Sequence, residues 1–236
     1  DILTLLQRNS RVSPVLENDI KGQIGALRIG SVRLRELSDR YGVEQLSACF
    51  ADILRNCEVA FKTKIISQLP EGNWEVEAPI DIDGLDAPHR LRLALERKGD
   101  RIIIDLNGTS PQTKRPINCP LEGPGRIFLA RLLSPLMLNL SPEPQHFIEN
   151  AGLNDGACRA FDVRLPGPGT LLTPCFPAPT GLRFLTLNKL LSVFGEALFY
   201  ANENRCSAGF DSLRSWSLRE KAKDGESSIF FREALG

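Results

Sequence analysis

The apolar residues of this 236-residue chain change their period at Pro70, and that change limits the fold more than any other feature. Before it, Leu16, Ile20, Ile24, Leu27, Leu34 and Tyr41 recur at three-, four- and seven-residue steps, and Gly42 closes the run. Leu46, Phe50, Ile53, Cys57, Phe61, Ile65 and Leu69 then mark one face of a second helix. It is expected to end before Pro70, because a residue preceding proline is pushed out of the α region. The two helices are expected to pair antiparallel. Gly22, Ala26 and Gly30 form a further stripe at steps of four. A glycine inside a helix costs roughly 1 kcal/mol relative to alanine, so this stripe predicts a second backbone packed closely on it.

After Pro70 the period becomes 2. Trp74, Val76, Ala78, Ile80 and Ile82 alternate with Glu75, Glu77, Pro79, Asp81 and Asp83. Leu91, Leu93 and Leu95 follow, then a Lys98-Gly99-Asp100 turn, then Ile102, Ile104 and Leu106. This is an antiparallel meander with one buried face. From Pro111 to Pro179 the chain places 12 of its 16 prolines, so loops are expected there, interrupted by a helix at about 126–138. Phe184, Leu187, Leu191, Phe194 and Leu198 mark a last helix over about 182–200. The fold class is therefore α+β: an N-terminal antiparallel helix pair, an antiparallel β-meander, proline-rich loops and a long C-terminal helix. The natural division is a helical pair over 1–70 and an α+β region over 71–236, parts of one larger domain.

Composition narrows the function classes. Twenty-nine Lys and Arg balance 29 Asp and Glu, which argues against a nucleic-acid or anionic-membrane partner. No apolar run approaches the roughly 20 residues of a membrane span. The chain opens on Asp1-Ile2-Leu3 without a signal-peptide pattern and reads as a piece of something longer. Six cysteines show no CxxC pair, so reduced, structural thiols and a cytoplasmic location are expected. The two histidines, His89 and His146, read as surface or capping residues rather than metal ligands.

Several polar clusters are candidate sites. Asp81-Ile82-Asp83-Gly84-Leu85-Asp86 carries calcium-loop residue types, but the glycine falls at position 4 and position 12 is Arg92, so it reads as a turn. Asn107-Gly108-Thr109-Ser110-Pro111-Gln112 follows a strand directly. Its hydroxyls and carboxamides can serve a polar ligand or bond to their own backbone as turns, and composition does not separate the two. Asn150 to Asp155, with Gly152 and Gly156, is a weaker version of the same pattern. Leu121-Glu122-Gly123-Pro124-Gly125 lacks the spacing of a phosphate loop. Cys119 has no histidine at telling spacing to activate it.

The stretch Asp105-Leu106-Asn107-Gly108-Thr109-Ser110-Pro111-Gln112, followed by Pro116-Ile117-Asn118-Cys119-Pro120, resembles the hydantoinase B / 5-oxoprolinase family pattern D-F-x-G-T-S-P-Q and I-N-A-P. Gly22 to Gly30 with Arg40-Tyr41-Gly42, Asn154-Asp155-Gly156-Ala157-Cys158-Arg159, and Gly169-Thr170-Leu171-Leu172-Thr173-Pro174 resemble three further family motifs in order, over about 16–200. The resemblance implies an ATP-dependent complex that opens a cyclic amide (5-oxoproline or hydantoin) or carboxylates a ketone. A hydantoinase A-like subunit or domain would bind ATP and Mg as the partner, and the segment itself would bind neither. Any divalent metal is implied to lie in a part N-terminal to this segment. The resemblance puts Gly108, Thr109, Ser110, Gln112 and Asn118 around the small-molecule substrate, with Asn154 and Gly156 nearby. Two departures stand out: Arg183 and Leu185 replace an Asn and a Glu of the family's G-N-V-E-T-S. Leucine cannot accept a proton, which implies either a changed site with Arg183 meeting a carboxylate or phosphate, or a degenerate, non-catalytic subunit.

Overall fold

The computed structural model describes residues 2–80, 88–123, 132, 136, 140 and 154–202, together with the backbone of 213–221 and 227–235. The turn at 81–86, most of the helix expected at 126–138, and His146 lie outside the described residues. Two compact units are present, Asp1–Ile53 and Leu54–Gly236.

The first unit is helical. Helix α1 (Ile2–Arg8) packs on α2 (Ser13–Tyr41), and Gly42, at φ 82°, separates α2 from α3 (Val43–Lys64). The expected side-by-side packing of α2 on α3 is absent among the described residues. No residue of α2 is buried, and the spaces beside Gly22, Gly25 and Gly30 are open. The glycine stripe therefore meets no described backbone. Ala26, Gly30, Leu34 and Leu46 line a shallow apolar groove near the junction with α3.

In the second unit, the last turns of α3 enter the core: Cys57 and Phe61 are fully buried. The helix stops at Lys64 rather than at Leu69, and a 3-10 turn, Ile66–Gln68, takes over. Ile65, Ile66 and Leu69 are all buried. With three residues per turn, Ile66 and Leu69 fall on one face of the 3-10 turn, and Ile65 at its entry is buried with them. Lys62 ties this end of α3 to the turn at Gly99-Asp100, bonding Glu58 at 2.9 Å and Asp100 at 3.1 Å.

The meander is present as expected. Strands β1 (Gly72–Ile80), β2 (His89–Lys98) and β3 (Arg101–Asp105) pair antiparallel. Val76 faces Leu93, Ala78 faces Leu91, and Leu95 faces Trp74 on one side and Ile104 on the other. These aligned apolar rows follow from the period-2 pattern and supply one face of the core. Each fully buried Leu or Ile contributes about 1.5–3 kcal/mol to folding. A fourth strand, β4 (Phe161–Arg164), is not legible in the sequence and runs parallel to β3, giving the order β1-β2-β3-β4. A one-turn helix, α4 (Asp155–Cys158), precedes it.

The last long helix, α5 (Arg183–Ala201), matches its expected span and covers β1 and β2 with Leu187, Leu190, Phe194 and Leu198. Strands β5 (Leu213–Lys221) and β6 (Ser227–Leu235) form a separate two-stranded ladder. No described helix is long and apolar enough to cross a membrane.

Candidate functional site at one end of the sheet

β2 begins and β3 ends at the same end of the sheet, and the Asn107–Gln112 loop lies there. The β2–β3 ladder covers only Ala94 to Lys98, which leaves the amides of Arg90 and Arg92 beyond the end of β3. The loop supplies what the strand does not. Arg90 N donates to Ser110 Oγ at 2.8 Å, Ser110 N donates to Arg90 O at 2.9 Å, and Arg92 N donates to Thr109 Oγ1 at 3.3 Å. Gly108 makes the turn at φ 89°, where an L side chain is strained. A Cβ there would also meet Arg92 Cδ at 2.8 Å. The Arg92 guanidinium donates to Asn107 O at 2.7 Å and to Glu75 at 2.6 Å, and that hydrogen bond holds the Glu75 carboxyl below the usual carboxylate range.

The loop is held on its other side by residues that the sequence marks only through a family motif. Gln112 N donates to Gly169 O, Leu171 N donates to Ser110 O, and Cys175 N donates to the Gln112 side chain at 2.6 Å. Thr173, buried beneath them, shares a hydroxyl–hydroxyl bond with Thr170 at 2.8 Å and donates to Gly167 O at 2.6 Å.

Asn118 is the centre of this arrangement and fully buried. Its Oδ1 accepts from Thr113 N at 3.0 Å, and its Nδ2 lies 2.8–3.0 Å from the carbonyls of Thr113, Arg115 and Pro179. On one side the chain leads to α5: Leu182 N donates to Pro116 O, and Thr186 Oγ1 donates to Ile117 O at 2.6 Å. Arg183 opens α5, close enough to act electrostatically on Cys119. The structure thus brings together Gly108, Thr109, Ser110, Gln112, Asn118 and the start of α5, as a web whose side-chain bonds run mostly into the protein's own backbone.

Asn154 and Gly156 do not join them. Because β4 is parallel to β3, the segment before it lies at the opposite end, where Ile102 N donates to Ala160 O. That places it a strand length away, about 13 Å for β3. There Asn154 Oδ1 caps α4 by accepting from Gly156 N at 2.8 Å, and Cys57 Sγ lies 3.9 Å from Asn154 O. Their expected position beside the loop is corrected by strand direction alone.

Cys119 is not poised for chemistry. Burial pushes its thiol up to about 11 from the usual 9.0, and the Arg183 charge offsets only part of that. The folded thiol stays protonated while the unfolded one ionises near 9, so stability falls as pH rises between the two values. Wild type should lose about 1.4 kcal/mol per pH unit over that window relative to Cys119→Ala. Urea titrations at pH 8.5, 9.5 and 10.5 measure this. Equal slopes for the two proteins would refute the burial account. At pH 8 an aromatic disulfide reagent should reach the exposed Cys49 and Cys175 first, and the variant should leave that fast phase unchanged.

No group of three or more His, Cys, Asp or Glu side chains among the described residues is placed to hold a metal ion. The motif resemblance implies a divalent metal only in a part N-terminal to this segment, and no step is assigned to one.

Comparison with known proteins agrees with the motifs. The family model Hydantoinase B/oxoprolinase matches residues 1–235. The B component of a putative D-/L-hydantoinase from Pseudomonas sp. (strain NS671) is 32% identical over 216 residues, covering 89% of this chain and 35% of that protein. The beta chain of the Pseudomonas jessenii caprolactamase is 28% identical over 180 residues, covering 76% of this chain and 29% of its own length. The crystal structure of the ATP-dependent caprolactamase from Pseudomonas jessenii superposes with a TM-score of 0.76 at 23% identity, covering 97% of this chain and 38% of that one. The chain belongs to the hydantoinase B/oxoprolinase family. It spans about a third of the length of the curated relatives it matches.

Proposed function

We propose that the chain is part of the B component of an ATP-dependent complex that opens cyclic amides, working with a hydantoinase A-like subunit or domain that binds ATP and Mg. The family match over 1–235 carries this reading. The names of two relatives, a hydantoinase and a caprolactamase, support the substrate class: both substrates are rings closed by an amide. Ring amides resist water because resonance ties up the carbonyl. A phosphoryl group placed on that oxygen by the partner removes the resonance and opens the carbon to one water. The C–N bond then breaks with the ring nitrogen leaving as an amine, and a second water splits the resulting acyl phosphate into carboxylate and phosphate. The B component therefore needs a cavity that binds the activated ring and excludes bulk water.

In this reading the Gly108–Gln112 loop, with Asn118 behind it, forms one wall of that cavity. Arg183 at the start of α5 meets a carboxylate or phosphate with its guanidinium. Asn154 and Gly156 are left out, since they sit at the other end of β3.

A non-catalytic, architectural subunit is the second reading. It is favoured by the inward use of Thr109, Gln112 and Asn118 in hydrogen bonds, together with Leu185 standing where the family motif has Glu. Co-expression of the full-length protein with its ATP-binding partner separates the two. Phosphate release stimulated by a hydantoin, caprolactam or 5-oxoproline supports the first reading, and ketone-stimulated release would make the complex a carboxylase. Silence with all four supports the second. Turnover by Arg183→Ala equal to wild type would remove that residue's assigned contact.

A further inference from the structure

The chain has two histidines, and one of them, His89, opens β2 opposite Ile80. Strand alternation puts its side chain on the face that carries Leu91, Leu93 and Leu95, all fully buried. Its Nε2 is sealed from solvent and is the one buried side-chain nitrogen or oxygen among the described residues with no hydrogen-bond partner. Leaving such an atom unpaired costs about 1–3 kcal/mol, and folded proteins hold few of them.

Its place in the fold gives the atom a use. The next residue, Arg90, is the one that Ser110 clamps through both its N–H and its carbonyl. His89 therefore adjoins the loop at the candidate site, one residue from the clamp. The neighbouring polar groups are already engaged. Thr109, Ser110, Gln112 and Asn118 bond to backbone, while Arg90 and Arg92 hold Glu77 and Glu75.

We propose that His89 Nε2 is a substrate-binding group, kept unpaired for a hydrogen bond to the cyclic amide. This inference rests on the functional reading above. A ring amide is held cis, so its carbonyl oxygen and N–H lie side by side on one edge. A neutral imidazole can meet that edge in either tautomer, donating to the oxygen or accepting from the N–H. A hydroxyl can also fill both roles, but those of Thr109 and Ser110 are already engaged with the backbone of β2.

Two measurements test it together. In the complex of full-length protein and partner, His89→Leu should lower kcat/KM for caprolactam, a hydantoin or 5-oxoproline by 10- to 100-fold. The same variant should melt no lower than wild type, because an unpaired polar atom gives way to an apolar one. His89→Gln, which keeps a donor and an acceptor, should recover part of the loss. Unchanged kcat/KM in His89→Leu overturns the proposal. The second measurement needs no turnover. In the full-length protein with ring-labelled histidine, the His89 signals are those missing from the His89→Gln spectrum, and they should shift saturably as each ring amide is added. If the wild-type complex turns over none of the three, the functional reading fails. A His89 signal unmoved by all three then overturns this proposal as well, whereas a saturable shift upholds it as a binding site.

Discussion

Asn118→Ala should lower the stability of the chain by about 3 kcal/mol, or about 6–12 °C in Tm, the larger part coming from backbone groups left without partners. The side chain is fully buried and joins four backbone groups from three places: Thr113 on both its N–H and its carbonyl, Arg115, and Pro179. The Pro179 bond spans 61 residues of sequence and ties the 113–118 turn to the segment that leads into α5. Alanine removes one acceptor and the amide donors at once, leaving four backbone groups at an enclosed site without their partner. Asn118→Asp is the sharper comparison. It keeps the acceptor for Thr113 N but loses every donor and points a carboxylate at three carbonyl oxygens, so it should be at least as damaging. Urea unfolding followed by circular dichroism measures both variants, and an unchanged m-value assigns the effect to the folded state. An Asp variant as stable as wild type would mean that the carbonyl contacts contribute nothing.

Gly156→Ala should cost a similar amount, about 3 kcal/mol, for a purely steric reason. A Cβ built on Gly156 would lie 2.8 Å from the carbonyl carbon of Leu54, closer still to its oxygen, and 2.9 Å from Asn154 Oδ1. The first two atoms belong to the backbone of α3, which cannot swing aside as a lysine tip would. Either α3 shifts or α4 loses its cap. Gly30→Ala is the matched control: nothing lies within 4 Å of its would-be Cβ, and it sits inside a helix. It should stabilise by about 0.5–1 kcal/mol through lower chain entropy. Thermal unfolding should therefore move the two variants in opposite directions from wild type. A tolerated Gly156→Ala would show that α3 and α4 do not meet as closely as the geometry has it.

The elements that are legible in the sequence are those long enough for their own apolar period to fix the face they bury. The meander can be read from Trp74 to Leu106 because alternation fixes both the strands and the face they bury, and Lys98-Gly99-Asp100 fixes the turn. The span of α5 follows from one apolar row. β4 is illegible because it is four residues long with two inward positions, Phe161 and Val163, and its partner β3 lies about sixty residues earlier. The β5–β6 ladder carries no alternation: Leu213, Trp216 and Leu218 break the period on one strand, and Ile229, Phe230 and Phe231 break it on the other.

The candidate site divides the same way. The polar loop stands out by composition, yet whether its hydroxyls serve a ligand or the protein depends on the unmatched amides of Arg90 and Arg92, about twenty residues away. Asn154 and Gly156 match a family motif and still lie at the other end of β3, since motif order along a chain does not carry strand direction. His89 gives no signal at all, because an unpaired nitrogen is a property of packing and not of residue type.

The most direct test of the functional account is the appearance of ring-opened product from the complex of full-length protein and ATP-binding partner, followed for caprolactam, a hydantoin and 5-oxoproline. The account predicts that at least one is opened, only when both proteins and ATP are present, and that phosphate is released in step with product. Product formed without ATP, or none from any of the three in a properly assembled complex, would contradict it.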